Sequence, residues 1–278
     1  MTPNNAPTIG VFDSGFGGLT VLRSLIQHMP QAHYAFIGDT ARLPYGSKSR
    51  RTIARYAAQS AQFLVREQGA EFLVIACNTA SALALDAIKE SVPGIPVLGV
   101  IDPGADAALA ASHSGDVLII ATDATVQSHA YLAACRQRGL RAIEKACPLL
   151  VPLVEEGWVD HPVTAEVIDI YLNELRAEAV TSGLKPDALV LGCTHYPLLR
   201  SSFEKAVRPG VTVIDSAEST ARAAVSLFNL QSAQLPAGEP EKAEVHCFAT
   251  DSVDKFERLG SRFLSRPVGN VSLVDLGG

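Results

Sequence analysis

Apolar positions fall along this chain in two rhythms. Segments 8–12, 33–39, 71–77, 96–102, 116–122, 187–193 and 211–217 are short, mainly apolar runs. That is the pattern of strands covered on both faces. Between them, 19–28, 51–67, 81–89, 106–112, 128–137, 164–179 and 198–207 have the spacing of helices. In 51–67, Ile53, Tyr56, Ala57, Ala61 and Leu64 share one face, and Gly69 follows as a stop. Segment 140–147 predicts a strand in part, and 245–260 one more strand and a helix. This alternation predicts an α/β fold of parallel sheets with helices on both faces.

The series starts again near residue 106, and the restart carries chemistry with it. LVIACNTAS (73–81) runs from an apolar strand into Cys77, Asn78 and Thr79, and LVLGCTHYP (189–197) does the same with Cys193, Thr194 and His195. Asp13–Ser14 at the end of the first strand is matched by Thr122–Asp123, and Asp39 by Glu155. We read the pattern as a duplication that gives two pseudo-symmetric α/β units facing each other. The expected division is 1–101 plus 215–278 for the first, discontinuous domain and 102–214 for the second. QLPAGEPE (234–241) is the best candidate for a loop.

Composition narrows the classes. The chain has 278 residues, 47% hydrophobic and 19% charged, which suits about two domains at ~150 residues each. A net charge of −6 argues against nucleic acid, whose binding needs a basic face. The five cysteines, at 77, 135, 147, 193 and 247, form no CxxC pair, so neither a disulfide framework nor a zinc site is expected. Reduced thiols in a cytoplasm are the expectation, with Cys135, Cys147 and Cys247 as packing. MTPNNAPTIGVF shows no secretory pattern, and no apolar run approaches the ~18 residues of a membrane span.

Ligands of open parallel sheets bind beyond the carboxyl ends of the strands, where both motifs place their cysteines. Each cysteine is expected to lead into a helix, capped by Asn78, Thr79 and Ser81 or opened by Thr194 and Pro197. A helix N-terminus lowers a nearby thiol pKa and holds carboxylates. A lone strand-end thiol is ordinarily inert, but two in matching positions suit a reaction with two matched sides. Racemisation is such a reaction, since it removes a proton from one face of a carbon and returns one to the other. The α-proton of an amino acid is much less acidic than a thiol, at about 1.4 kcal/mol per unit of mismatch. No lysine stands at a strand end for a pyridoxal Schiff base. A cofactor-free site must then rely on fixed hydrogen bonds from Ser14, Asn78, Thr79 and Thr194. Asp13 toward Cys77, and His195 toward Cys193, are the proton-handling candidates.

Other motifs have two readings. DSGFGG (13–18) fails the dinucleotide fingerprint because Thr20 stands at the third glycine position; its glycines either bring N–H groups to a small anion or serve a plain turn. Pro44, Tyr45 and Gly46 form either a lid over the site or part of a solvated basic loop. Glu155 and Glu156 near Trp158 are an exposed pair or part of the site. Cys193 with His195 is not expected to bind metal. Two rival functions stay open at this level: a thiol amidohydrolase with Cys193 as nucleophile and His195 as base, and an amino-acid-binding module.

DSGFGGL (13–19), DTARLPYG (39–46), ACNTAS (76–81), PLVEEG (152–157) and GCTHYPLL (192–199) together resemble the glutamate racemases, the cofactor-independent branch of the aspartate/glutamate racemase superfamily. The resemblance spans most of the chain. It implies two α/β domains with the active site in the cleft between them, Cys77 and Cys193 as acid/base residues, and Asp13, Glu155 and His195 as their helpers. It implies substrate contacts from Asp13, Ser14, Pro44, Tyr45, Gly46, Asn78, Thr79, Thr122, Thr125, Thr194 and His195. It further implies glutamate as substrate, no cofactor, a cytoplasmic homodimer and a product that feeds peptidoglycan synthesis. His195 favours the glutamate branch over aspartate racemases, which tend to carry an acidic residue there. One departure is Ala124, where the family usually has glycine after the strand.

Overall fold

A computed structural model describes residues 6–228 and 239–277. Ten strands are found among them: β1 (Thr8–Asp13), β2 (His33–Gly38), β3 (Phe72–Ile75), β4 (Val97–Gly99), β5 (Asp116–Ala121), β6 (Arg141–Ala146), β7 (Ala188–Gly192), β8 (Thr212–Asp215), β9 (Val245–Ala249) and β10 (Val271–Leu273). They form two parallel sheets, β10-β9-β2-β1-β3-β4 and β6-β5-β7-β8. The order β2-β1-β3-β4 is repeated as β6-β5-β7-β8, so β3 and β7 occupy the same place in their sheets. Central strands β5 and β7 are buried at every residue, as expected for strands with helices on both faces.

The helices are α1 (Leu19–His28), α2 (Arg50–Arg66), α3 (Asn78–Leu83), α4 (Leu85–Ser91), α5 (Ile101–Ala111), α6 (Asp123–Ser128), α7 (Ala130–Gln137), α8 (Leu150–Glu155), α9 (Pro162–Thr181), α10 (Arg200–Ala206), α11 (Ser216–Leu227) and α12 (Val253–Leu264). The face expected of α2 is as read: Ile53, Ala57, Ala61 and Leu64 are fully buried. Ser49 caps that helix by accepting from the Thr52 N–H. The chain passes between the sheets at β4–α5 and again at β8–α11.

Several boundaries differ from expectation. The helix expected over 81–89 is two helices that meet at Ala84. The strand expected over 96–102 stops at Gly99, and α5 begins at Ile101 with Pro103 in its first turn, where a missing N–H costs no hydrogen bond. The helix expected over 128–137 starts earlier and breaks at His129, whose φ is 54°. Both α8 and β10 were unforeseen. Of the expected loop, 234–238 lies outside the described residues.

Candidate active site

Adjacent strands β1 and β3 end side by side, in register from Ile9 opposite Phe72 to Phe12 opposite Ile75. Their ends bring Asp13 and Ser14 beside Cys77. The Cys77 thiol donates to the Ser14 hydroxyl at 3.4 Å, and its sulfur caps α3 by accepting from the Ala80 N–H at 3.4 Å. Asp13 is 1% exposed. Its Oδ2 accepts from the Gly15 N–H at 2.9 Å, while Oδ1 has no partner among the described residues. Burial pushes the Asp13 carboxyl up, against the pull of His195 and the loop N–H groups. Burial, helped by the Asp13 charge, pushes the Cys77 thiol up to about 12. The expected lowering by a helix N-terminus is therefore outweighed at this thiol.

Cys193 follows β7, but no helix starts there. A 3-10 turn, Tyr196–Leu199, intervenes before α10, so the expected capped helix is absent at this thiol. Its neighbour is an imidazole instead: His195 Nδ1 lies 3.9 Å from the sulfur, and Nε2 lies 3.3 Å from Glu155 Oε1. Glu155 sits at the end of α8, and its Oε2 accepts from Lys255 of α12 at 3.3 Å. Burial disfavours a charged His195, but the hydrogen bonds with Cys193 and Glu155 outweigh it and raise the imidazole to about 10. Burial works against Glu155 too, yet His195 and Lys255 hold its carboxyl below the usual range.

Both cysteines line one cavity of about 250 Å³, together with Ser14, Gly15, Asn78, Thr79, Thr122, Glu155, Thr194 and His195. At about 30 Å³ per water, it holds roughly eight waters, the scale of a small amino acid. The 43–47 loop closes one wall. Pro44, Tyr45 and Gly46 are all in it, and the Tyr45 hydroxyl is turned to Asp39 Oδ2 at 2.5 Å. Pro148, Val151 and Pro152 form an apolar wall that sequence reasoning missed. Three threonines tie the two sides: Thr79 Oγ1 is 3.1 Å from Thr122 Oγ1 and 3.3 Å from Thr125 Oγ1.

Two expected contact residues lie outside the lining. Thr125 is fully buried behind Thr79 and Thr122, and Asp13 lies behind Ser14 and Gly15. Of the glycines in 13–18, only Gly15 reaches the cavity. The others allow close packing: a Cβ on Gly17 would sit 2.7 Å from His195 Nδ1, and one on Gly18 2.8 Å from Ala76 Cβ. Asp39 and Glu155 are not structural equivalents, since Asp39 follows β2 directly and binds Tyr45, while Glu155 ends α8 and binds His195. Lys255 went unnoticed because nothing local distinguishes it from a solvated helix charge. Among the described residues, no group of three or more His, Cys, Asp or Glu is placed to hold a metal ion. Nor is any helix among them long and apolar enough to cross a membrane.

Matched parallel sheets that each deliver a thiol to one cavity define a two-sheet α/β protein with one site shared by both sheets. Residues 9–224 match the Asp/Glu/Hydantoin racemase family, and the chain belongs to that family of isomerases. It is 52% identical to a glutamate racemase of Koribacter versatilis, with 98% of each chain covered. Among solved structures it is similar to the glutamate racemase of Francisella tularensis in complex with D-glutamate (TM-score 0.85, 35% identity, 98% of both chains). It is also similar to that of Thermus thermophilus in complex with beta-chloro-D-alanine (TM-score 0.82, 40% identity, 98% of both chains).

Proposed function

We propose that this protein interconverts L- and D-glutamate by proton transfer at Cα between Cys77 and Cys193, without a cofactor. The observation that carries the reading is one cavity walled by two cysteines from equivalent strand ends of separate sheets. Burial and the neighbouring Asp13 favour the protonated form of Cys77. Cys77, whose thiol donates to Ser14, is the proton donor for one enantiomer. Cys193, with His195 Nδ1 3.9 Å from its sulfur, is the base when Cys77 is the donor, and a turnover exchanges the two roles. The charge that develops on the substrate as Cα loses its proton meets fixed donors from Asn78, Thr79 and Thr194. Asp13 and Ser14 serve the Cys77 side; His195, oriented by Glu155, serves the other. The lid residues Pro44, Tyr45 and Gly46, with Thr122 in the lining and Thr125 behind it, complete the substrate enclosure.

The two functional halves are 1–101 with 215–278, and 102–214, and their cleft is the site. The family resemblance further supports a cytoplasmic homodimer whose D-glutamate supplies peptidoglycan synthesis. The test uses purified protein in heavy water with L- or D-glutamate and no added cofactor. Optical rotation is expected to decay while deuterium enters Cα from either enantiomer. Exchange of aspartate but not glutamate would move the reading to aspartate racemisation, and exchange of neither would end it.

A further inference from the structure

Asn78 opens α3 and lines the cavity at 3% exposure. Its Oδ1 accepts from the Tyr131 hydroxyl at 2.8 Å. Its Nδ2 has no partner among the described residues. A buried unpaired donor is costly, so a ligand acceptor is called for there. Tyr131 comes from α7, beside the other sheet, and is fully buried. Its ring occupies a slot cut by two glycines: a Cβ on Gly192 would lie 2.9 Å from Cε2, and one on Gly104 3.2 Å from the phenol oxygen. Gly104 belongs to α5, and the Ser216 hydroxyl beside the phenol opens α11. The phenol thus stands where the chain makes both of its passages between the sheets.

We infer that Tyr131 is a positioning residue: its hydroxyl fixes the Asn78 amide so that N–H, and not oxygen, meets a substrate carboxylate. A phenol has one hydrogen to give, and giving it to Oδ1 leaves the NH₂ group for the cavity. The reversed amide would set an oxygen against the carboxylate and repel it. Because the bond joins an element of each half, the amide is set only when the halves stand in this arrangement. This inference rests on the racemase reading for its kinetics but not for its binding arm.

The test compares wild type with Tyr131→Phe in the full chain. KM for L- and for D-glutamate is expected to rise about five- to tenfold, with kcat changed less than about twofold. The calorimetric Kd for D-glutamate should rise in parallel. Asn78→Ala should raise KM as well, and adding Tyr131→Phe to it should change KM by less than about 1.5-fold. A role in packing alone would lower thermal stability and leave KM and Kd unchanged; that result, or independent effects in the double variant, would overturn the inference. Should Tyr131→Phe not fold, Gly104→Ala displaces the phenol by a few tenths of an ångström; KM is then expected to rise about two- to threefold, and an unchanged KM overturns the inference. A wild type that binds D-glutamate without exchanging its Cα proton would end the racemase reading and leave the Kd comparison to decide Tyr131.

Discussion

The surroundings of Cys77 and of Cys193 differ more than their backbones do. Both thiols follow equivalent strands, β3 and β7, which pair with β1 and β5. Around Cys77 stand a hydroxyl, a helix N–H and a buried carboxyl with one oxygen unpaired among the described residues. Around Cys193 stands a chain of charges, from His195 through Glu155 to Lys255. The sheets repeat, but the groups around the two thiols do not. A two-base exchange needs only that one sulfur hold a proton while the other takes one, so unlike surroundings bias which enantiomer each state accepts.

Removing either sulfur is the largest test of that comparison. Cys77→Ala and Cys193→Ala are each expected to cut racemisation by about 10³-fold or more. Each should still exchange the Cα proton of one enantiomer in heavy water, and the two variants should choose opposite enantiomers. Exchange of the same enantiomer by both would mean that the sulfurs do not work on opposite faces.

Next come the helpers. Asp13→Asn and His195→Gln are each expected to cost about 10²-fold in kcat/KM. Enantiomers are equally stable, so kcat/KM must stay equal in the two directions. The asymmetry must therefore show in kcat and KM separately, and with opposite bias in the two variants. Asp13→Asn should also raise the melting temperature, because it removes a carboxyl whose charge burial opposes. A shared bias, or a lower melting temperature, would dissolve the distinction between the two sides.

What could be read beforehand follows from how local its cause is. Strands buried on both faces write themselves as apolar runs, so the sheets and their repeat were legible. Breaks at Ala84 and His129 depend on neighbouring elements rather than local composition, and they were not. β10 is three residues long and partly exposed, too little for a pattern. Cys77, Asn78, Thr79, Cys193, Thr194 and His195 stood out because two short motifs repeat. Lys255 is 100 positions from Glu155, and Tyr131 is 53 from Asn78; no local spacing announces such a pairing. Glycine that admits an anion and glycine that admits a neighbouring loop look alike in a sequence, so the two readings of the glycine-rich turn could not be separated there.

The charge chain beside Cys193 has a pH signature that the Cys77 side lacks near neutrality. His195 ionises at about 10 in the folded protein against 6.5 for an unconstrained imidazole. The native state thus holds this proton more tightly than the unfolded chain. Its contribution to stability is complete below pH 6.5 and is lost as pH rises toward 10. Between pH 7 and 9 stability should fall, read as a falling urea midpoint. His195→Gln should reduce that slope from pH 7 upward, while Cys77→Ala should remove only the smaller part that a raised thiol adds as pH approaches 9. An equal slope in His195→Gln would place the titration elsewhere.

Lys255 gives the smallest and most discriminating test. It belongs to α12, beside the first sheet, yet its ammonium reaches Glu155 on the Cys193 side. Its side chain is 44% exposed and the ion pair spans 3.3 Å. Solvent therefore screens the attraction, and such a pair contributes about 0.2–1 kcal/mol. Lys255→Met keeps most of the apolar stem near Phe16, whose ring lies 5.6 Å from the ammonium, and removes the charge alone. We expect a loss of about two- to threefold in kcat/KM and a fall in melting temperature of about 1–3 °C. The stability slope between pH 7 and 9 should keep its sign and nearly its size, because Glu155 stays ionised there and His195 keeps its partner. If Lys255→Met instead matched the loss seen in His195→Gln, the imidazole would depend on the ammonium for its place, and the Cys193 side would be a relay of three groups rather than a pair with a screened neighbour.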